Sequence, residues 1–218
     1  MCVTSLCTRG ALDTWSRGRS TAALGVTIAV IRMDAFDYLA VLISIILGLG
    51  ITQLLIGVGR WIEQRHALRA FSPAMIWAGI LLLVHVQTWW SMFGLRFVPE
   101  WTFVQFTIVL LQPIVLFLLA TIVLPSERAP VLDLRANYLG QRRWFFGLLG
   151  FLLVVSVVKD LLVTGSLPSG LNLAFHIGFL VVAIAALSTE REGAHRTISA
   201  VAAIAMLAYV ALLFRELQ

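Results

Sequence analysis

The stretch YLAVLISIILGLGITQLLIGV, Tyr38 to Val58, runs twenty-one residues without a charge. A bilayer's hydrocarbon core is about 30 Å thick, so a helix rising 1.5 Å per residue needs roughly 20 apolar residues to cross it. This stretch has that length and composition. Five further runs of similar kind follow: Met75 to Gly94, Phe103 to Leu124, Trp144 to Val163, Leu171 to Leu187 and Ile198 to Phe214. Six spans in 218 residues leave no room for a separate soluble domain. The expected fold is all-α: a polytopic transmembrane bundle of six helices, occupying residues 33–218.

Composition agrees. Apolar residues make up 60% of the chain and charged residues 12%, where an average soluble domain has about 25% charged. The net charge of +5 comes from basic residues, nearly all arginine, scattered over short connections. Nucleic-acid binding needs a continuous basic face, and no segment is large enough to offer one. The lipid bilayer is the first expected partner. Cys2 and Cys7 are the only cysteines and lie before the first span, so they cannot staple the bundle.

Arginine also sets the expected orientation. Arg60, Arg65 and Arg69 follow the first span; Arg128, Arg135, Arg142 and Arg143 follow the third; Arg191 and Arg196 follow the fifth. The opposite side carries Arg96, Lys159 and Arg215. Positive charge marks the cytoplasmic side. Both termini are therefore expected to be periplasmic in a bacterial inner (plasma) membrane. Arg9, Arg17, Arg19 and Arg32 weaken this bias, whereas the stretch MDAFDY from Met33 is short and acidic, as a translocated end should be. Residues 1–32 are thus expected to be a non-core extension, either an over-called start or a removable leader. The apolar run Thr21 to Ile31 is too short to span.

Tryptophan prefers membrane interfaces. On that basis Trp61, Trp77 and Trp144 should line the inner rim, and Trp89, Trp90 and Trp101 the outer rim. Ser72-Pro73 reads as an N-cap with proline behind it. Pro130 to Arg143 reads equally as an interfacial helix running into the fourth span or as an ordinary loop. Ser44, Gly48 and Thr52 recur at i, i+4, i+8, a small-residue stripe that lets helix backbones approach closely, within the chain or between copies. His85 in the second span and His176 in the fifth hint at a weak three-plus-three inverted repeat, although the halves match poorly residue by residue.

Ionisable and strongly polar groups are costly in hydrocarbon and point to function. The candidates are Gln53, His85, Gln87, Gln105, Gln112, Lys159, Asp160 and His176. At 1.5 Å per residue, Asp160 and His176 fall roughly 5–9 Å below the outer surface, and His85, Gln87 and Gln112 roughly 10–14 Å. The expectation is a shared outward-facing polar vestibule lined by His85, Gln87, Gln112, Asp160 and His176. A carboxylate and imidazoles there suit proton transfer or cation binding. The plainer reading makes each histidine a helix-to-helix hydrogen bond, has Gln112 satisfy the Val109 carbonyl that Pro113 frees, and points Lys159 and Asp160 away from each other.

The stretches VLISIILGLGITQLL (41–55) and VQTWWSMFGLR (86–96) resemble those of a family of small six-span bacterial inner-membrane proteins with no assigned activity. The resemblance implies an inner-membrane location and transfers no catalytic residue.

No H-E-x-x-H, G-x-S-x-G or Walker pattern is present, so no catalytic residue, metal site or cofactor is assigned from motifs. Two functional classes stand open, with an intramembrane enzyme or haem protein as a third behind them. One is a small transporter or channel-like protein using the vestibule. The other is a non-transporting subunit or assembly protein that packs against a copy of itself or a membrane partner through small-residue faces.

Overall fold

The computed structural model describes residues 35–63, 71–98, 100–124, 133–168 and 170–216. The chain divides into Met1–Asp34 and Ala35–Gln218. The first unit, and with it the expectation for residues 1–32, lies outside the described residues, as do Arg65, Arg69, Pro99, Pro125 and Arg128.

The described residues form six long helices: α1 Ala35–Glu63, α2 Ser72–Ser91, α3 Phe103–Val123, α4 Leu134–Thr164, α5 Gly170–Leu187 and α6 Glu192–Glu216. A 3-10 turn, Met92–Phe97, extends α2. No strand occurs among them. Each of the six is long and apolar enough to cross a membrane. Val41, Ile45, Leu49, Val154, Ile177, Val181 and Ile204 all lie exposed on the outside of the bundle. A water-soluble chain could not leave so much apolar side-chain surface uncovered; lipid covers it.

Helix ends follow local chemistry. Asp133 caps α4, its side chain accepting from the Arg135 and Ala136 amides. Residues 134–143 therefore belong to one continuous helix that runs on to Thr164. Thr102 and Gln105 form a reciprocal capping box at the start of α3. Gly165 closes α4 with φ +70, its N–H donating to the Leu161 carbonyl. At α2 the cap residue is Phe71, without a side-chain cap, and Ser72 is already helical. Phe71 is buried against the Tyr138 ring, 5.2 Å between centroids, so packing fixes where that helix starts.

Helices α1, α3, α4, α5 and α6 pack in that order, each on the next. Helix α2 sits inside, touching α1, α3, α4 and α6, whereas α5 packs only on α4 and α6. The two helices that an inverted repeat would equate therefore hold different places, and the packing carries no three-plus-three symmetry. Central placement also relocates Trp77. It is fully buried and meets Phe145 and Phe146 edge-on, both at 5.4 Å, so it belongs to the core rather than to an interfacial belt. Trp89, Trp90 and Trp144 are exposed.

Helix α1 packs through glycines, but not through the expected stripe. A Cβ on Gly57 would stand 2.6 Å from Leu124 Cβ, and one on Gly50 would stand 2.3 Å from His85 Nε2. Gly48 has nothing within 4 Å, and Ser44, Gly48 and Thr52 are all exposed on the outer surface. Gly48 and Gly50 are two residues apart, which is about 200° on a helix. The sequence pattern marked the outward face of α1; the packed face lies behind it.

Candidate functional site

The bundle has two poles. At one, α1, α3 and α5 end and α2, α4 and α6 begin. This pole is tied by polar bridges. Tyr138 Oη lies 3.1 Å from His195 Nδ1, and His195 Nε2 lies 3.1 Å from the Thr189 carbonyl. Arg135 pairs with Glu192 and Arg142 with Glu190. His195 is fully buried and stacks on Phe146. These contacts hold α4 to the start of α6. The arginines here read as topology signals; nothing in the residue pattern announced that two of them also close the bundle.

Towards the other pole lies a cavity of about 200 Å³. Five helices line it: Gln87, Thr88 and Ser91 from α2, Gln112 from α3, Ser156, Lys159 and Asp160 from α4, Asn172 and His176 from α5, and Tyr209 from α6. Helical periodicity explains the convergence. Positions 156, 159 and 160 share one face of α4, as do 87 and 91 on α2, and 172 and 176 on α5. Val84, Leu152, Leu153 and Phe175 complete the wall. The Phe175 and Tyr209 rings stack at 4.1 Å and join α5 to α6.

Four of the five residues expected in a vestibule thus share one space: Gln87, Gln112, Asp160 and His176. His85 does not. Its Nδ1 donates to the Leu81 carbonyl at 2.7 Å one turn back, and its ring points at Gly50 on α1. A residue count gives depth along the helix and not direction around it, and His85 turns away from the cavity. In the neutral ring Nε2 then carries a lone pair, and that buried nitrogen has no hydrogen-bond partner among the described residues. His85 is a packing post between α1 and α2.

Lys159 and Asp160 were expected to diverge. Instead Lys159 Nζ reaches Asp160 Oδ1 at 3.1 Å, because two flexible side chains can bridge the 100° between successive residues. Both are mostly buried, and together they make the charged part of the wall neutral. Gln105 takes no part. It caps α3, and its amide donates to the Leu162 carbonyl at 2.9 Å. Gln112 makes no hydrogen bond to Val109 and faces the cavity instead.

Sequence reasoning missed Ser156, Asn172 and Tyr209. Single serine, asparagine and tyrosine residues are unremarkable in a span, but Ser156 is four residues before Asp160, and Asn172 is four before His176. That spacing was the available signal. His176 Nδ1 donates to the Asn172 carbonyl at 2.8 Å, and its Nε2 lies 3.1 Å from Ser156 Oγ. No group of three or more metal-ligating side chains occurs among the described residues.

Fold and cavity together define a multi-pass helical membrane protein. Compared with family models, curated proteins and solved structures, the chain matches none.

Proposed function

We propose that the protein is a small transporter or channel-like protein whose cavity is an outward-facing vestibule for a polar solute. The observation that supports this is the convergence of amide, hydroxyl, imidazole and paired-charge groups from five helices on one space inside an otherwise apolar bundle. A lone ionisable group near a span's centre costs about 3 kcal/mol on insertion scales. Water in a shared cavity relieves that cost. The paired charges favour a neutral or zwitterionic solute over a bare cation.

The arginine bias supports an orientation with that pole on the cytoplasmic side of a bacterial inner membrane: Arg60, Arg135, Arg142, Arg143, Arg191 and Arg196 gather at the pole away from the cavity, and positive charge marks the cytoplasmic side. A reporter fused after Gln218 should then read periplasmic; a cytoplasmic reading overturns the orientation. The resemblance to small six-span inner-membrane proteins points to the same location. In reconstituted vesicles, Asp160→Asn should abolish solute-linked proton movement in a protein that remains folded. Movement unchanged from the parent chain contradicts a role for Asp160.

A second reading rests on the exposed Ser44, Gly48 and Thr52 stripe. It makes the chain a non-transporting subunit that packs against a second copy or a membrane partner. Crosslinking at Gly48→Cys in native membranes tests it, and absence of any crosslinked species counts against it.

A further inference from the structure

We propose that Ser156 and His176 form a nucleophile and general base that cleave acyl esters inside the cavity. The reading shares the vestibule with the function above but asks for covalent chemistry rather than passage.

Three geometric conditions mark an activated serine: a base within hydrogen-bond reach, a third group that orients the base, and donors for the oxyanion. Ser156 Oγ lies 3.1 Å from His176 Nε2. His176 Nδ1 lies 2.8 Å from the Asn172 carbonyl, which has no proton to give, so Nδ1 must be the donor. In the neutral ring that leaves the lone pair on Nε2, facing the serine hydroxyl. This is the tautomer a general base requires. Gln87, Gln112 and Asn172 line the same cavity, and their side-chain amides are the donors the proposal assigns to the oxyanion.

A second observation gives the substrate class. A separate, almost wholly apolar groove of about 230 Å³ runs along the lipid-facing seam of α4 and α5, lined by Leu153, Val157, Val158, Leu173, His176 and Leu180. His176 and Leu153 border both spaces. An amphiphile with its chain in the groove and its ester in the cavity would bring the carbonyl to the Ser156–His176 pair. The substrate class is therefore an acyl ester taken from the bilayer.

In the first step Ser156 Oγ bonds to the ester carbonyl carbon while its proton passes to His176 Nε2. The C–O bond to the alcohol breaks, and the alcohol leaves with that proton. Water from the cavity then adds to the acyl-serine carbonyl and gives a proton to Nε2. The acyl–Oγ bond breaks, Oγ regains the proton, and a carboxylic acid departs.

The test uses the full chain in native membranes and a fluorophosphonate bearing a ten-carbon chain, with the adduct mapped by mass spectrometry. The adduct is expected on Ser156. Ser156→Ala should lose it, and His176→Gln should slow labelling by about 100-fold or more, the usual share of a general base. Ser156→Cys, which preserves packing, should trade phosphonate reactivity for alkylation by iodoacetamide. A methyl fluorophosphonate should label more slowly than the long-chain probe. No adduct on the folded parent chain, an adduct that survives Ser156→Ala, or equal rates with His176→Gln each overturns the dyad. Equal rates for the two probes overturn the groove's part. Failure here, with a cavity that still admits an aqueous thiol reagent, leaves the solute vestibule standing.

Discussion

His85 Nε2 occupies the place that a side chain on Gly50 would need: a Cβ there would lie only 2.3 Å away. The histidine is fully buried and held by the Leu81 carbonyl, so it cannot swing aside cheaply. Two helices of the bundle are registered by this one missing methyl group.

Gly50→Ala should therefore force α1 away from α2 and destabilise the protein by about 1–3 kcal/mol, the usual range for overpacking. Gly48→Ala, two residues away with open space around it, should be silent. Thermal unfolding of both variants in detergent compares them directly. Equal midpoints would refute the packing role of Gly50.

The turn between α4 and α5 offers a second comparison. Gly165 stands at φ +70 with no neighbour near its absent Cβ, so alanine there meets backbone strain and no clash. Gly165→Ala should cost about 1–2 kcal/mol. Gly150→Ala, at a position in α4 with nothing within 4 Å, should be neutral or slightly stabilising. The same melting measurement decides it.

At the arginine-rich pole, Tyr138→Phe removes the hydroxyl that meets His195 Nδ1. The ring stays, so the packing on Phe71 and Phe146 is kept. The expected loss is about 1–3 kcal/mol, because a buried histidine nitrogen loses its partner. If Tyr138→Phe unfolds no earlier than the parent chain, the Tyr138–His195 bridge contributes nothing.

These contrasts show what the sequence could and could not supply. Apolar run length located all six helices, since a bilayer's thickness fixes how many residues a span needs. Depth along each span follows from counting residues, and Gln87, Gln112, Asp160 and His176, all assigned to one half of the bundle, line one cavity. Direction around a helix depends on which neighbours it meets, and no residue count reports that. His85 turns to Gly50 instead of the cavity. Trp77 sits near a span end yet lies inside, because α2 is central. The Ser44, Gly48 and Thr52 spacing described a face correctly and left open whether it packs inward or outward. Ser156 and Asn172 went unnoticed because single small polar residues in a span are ordinary until a partner helix arrives beside them.

The account rests on a water-filled cavity open to the periplasm. The direct measurement is labelling of Gln112→Cys in intact cells with a membrane-impermeant maleimide, in the full chain with Cys2 and Cys7 replaced by serine. Leu116→Cys, on the same helix and fully buried, is the control. The account predicts rapid labelling at Gln112→Cys and none at Leu116→Cys until the protein is denatured. A Gln112→Cys protein that is folded and inserted yet resists the reagent as completely as the control would contradict it.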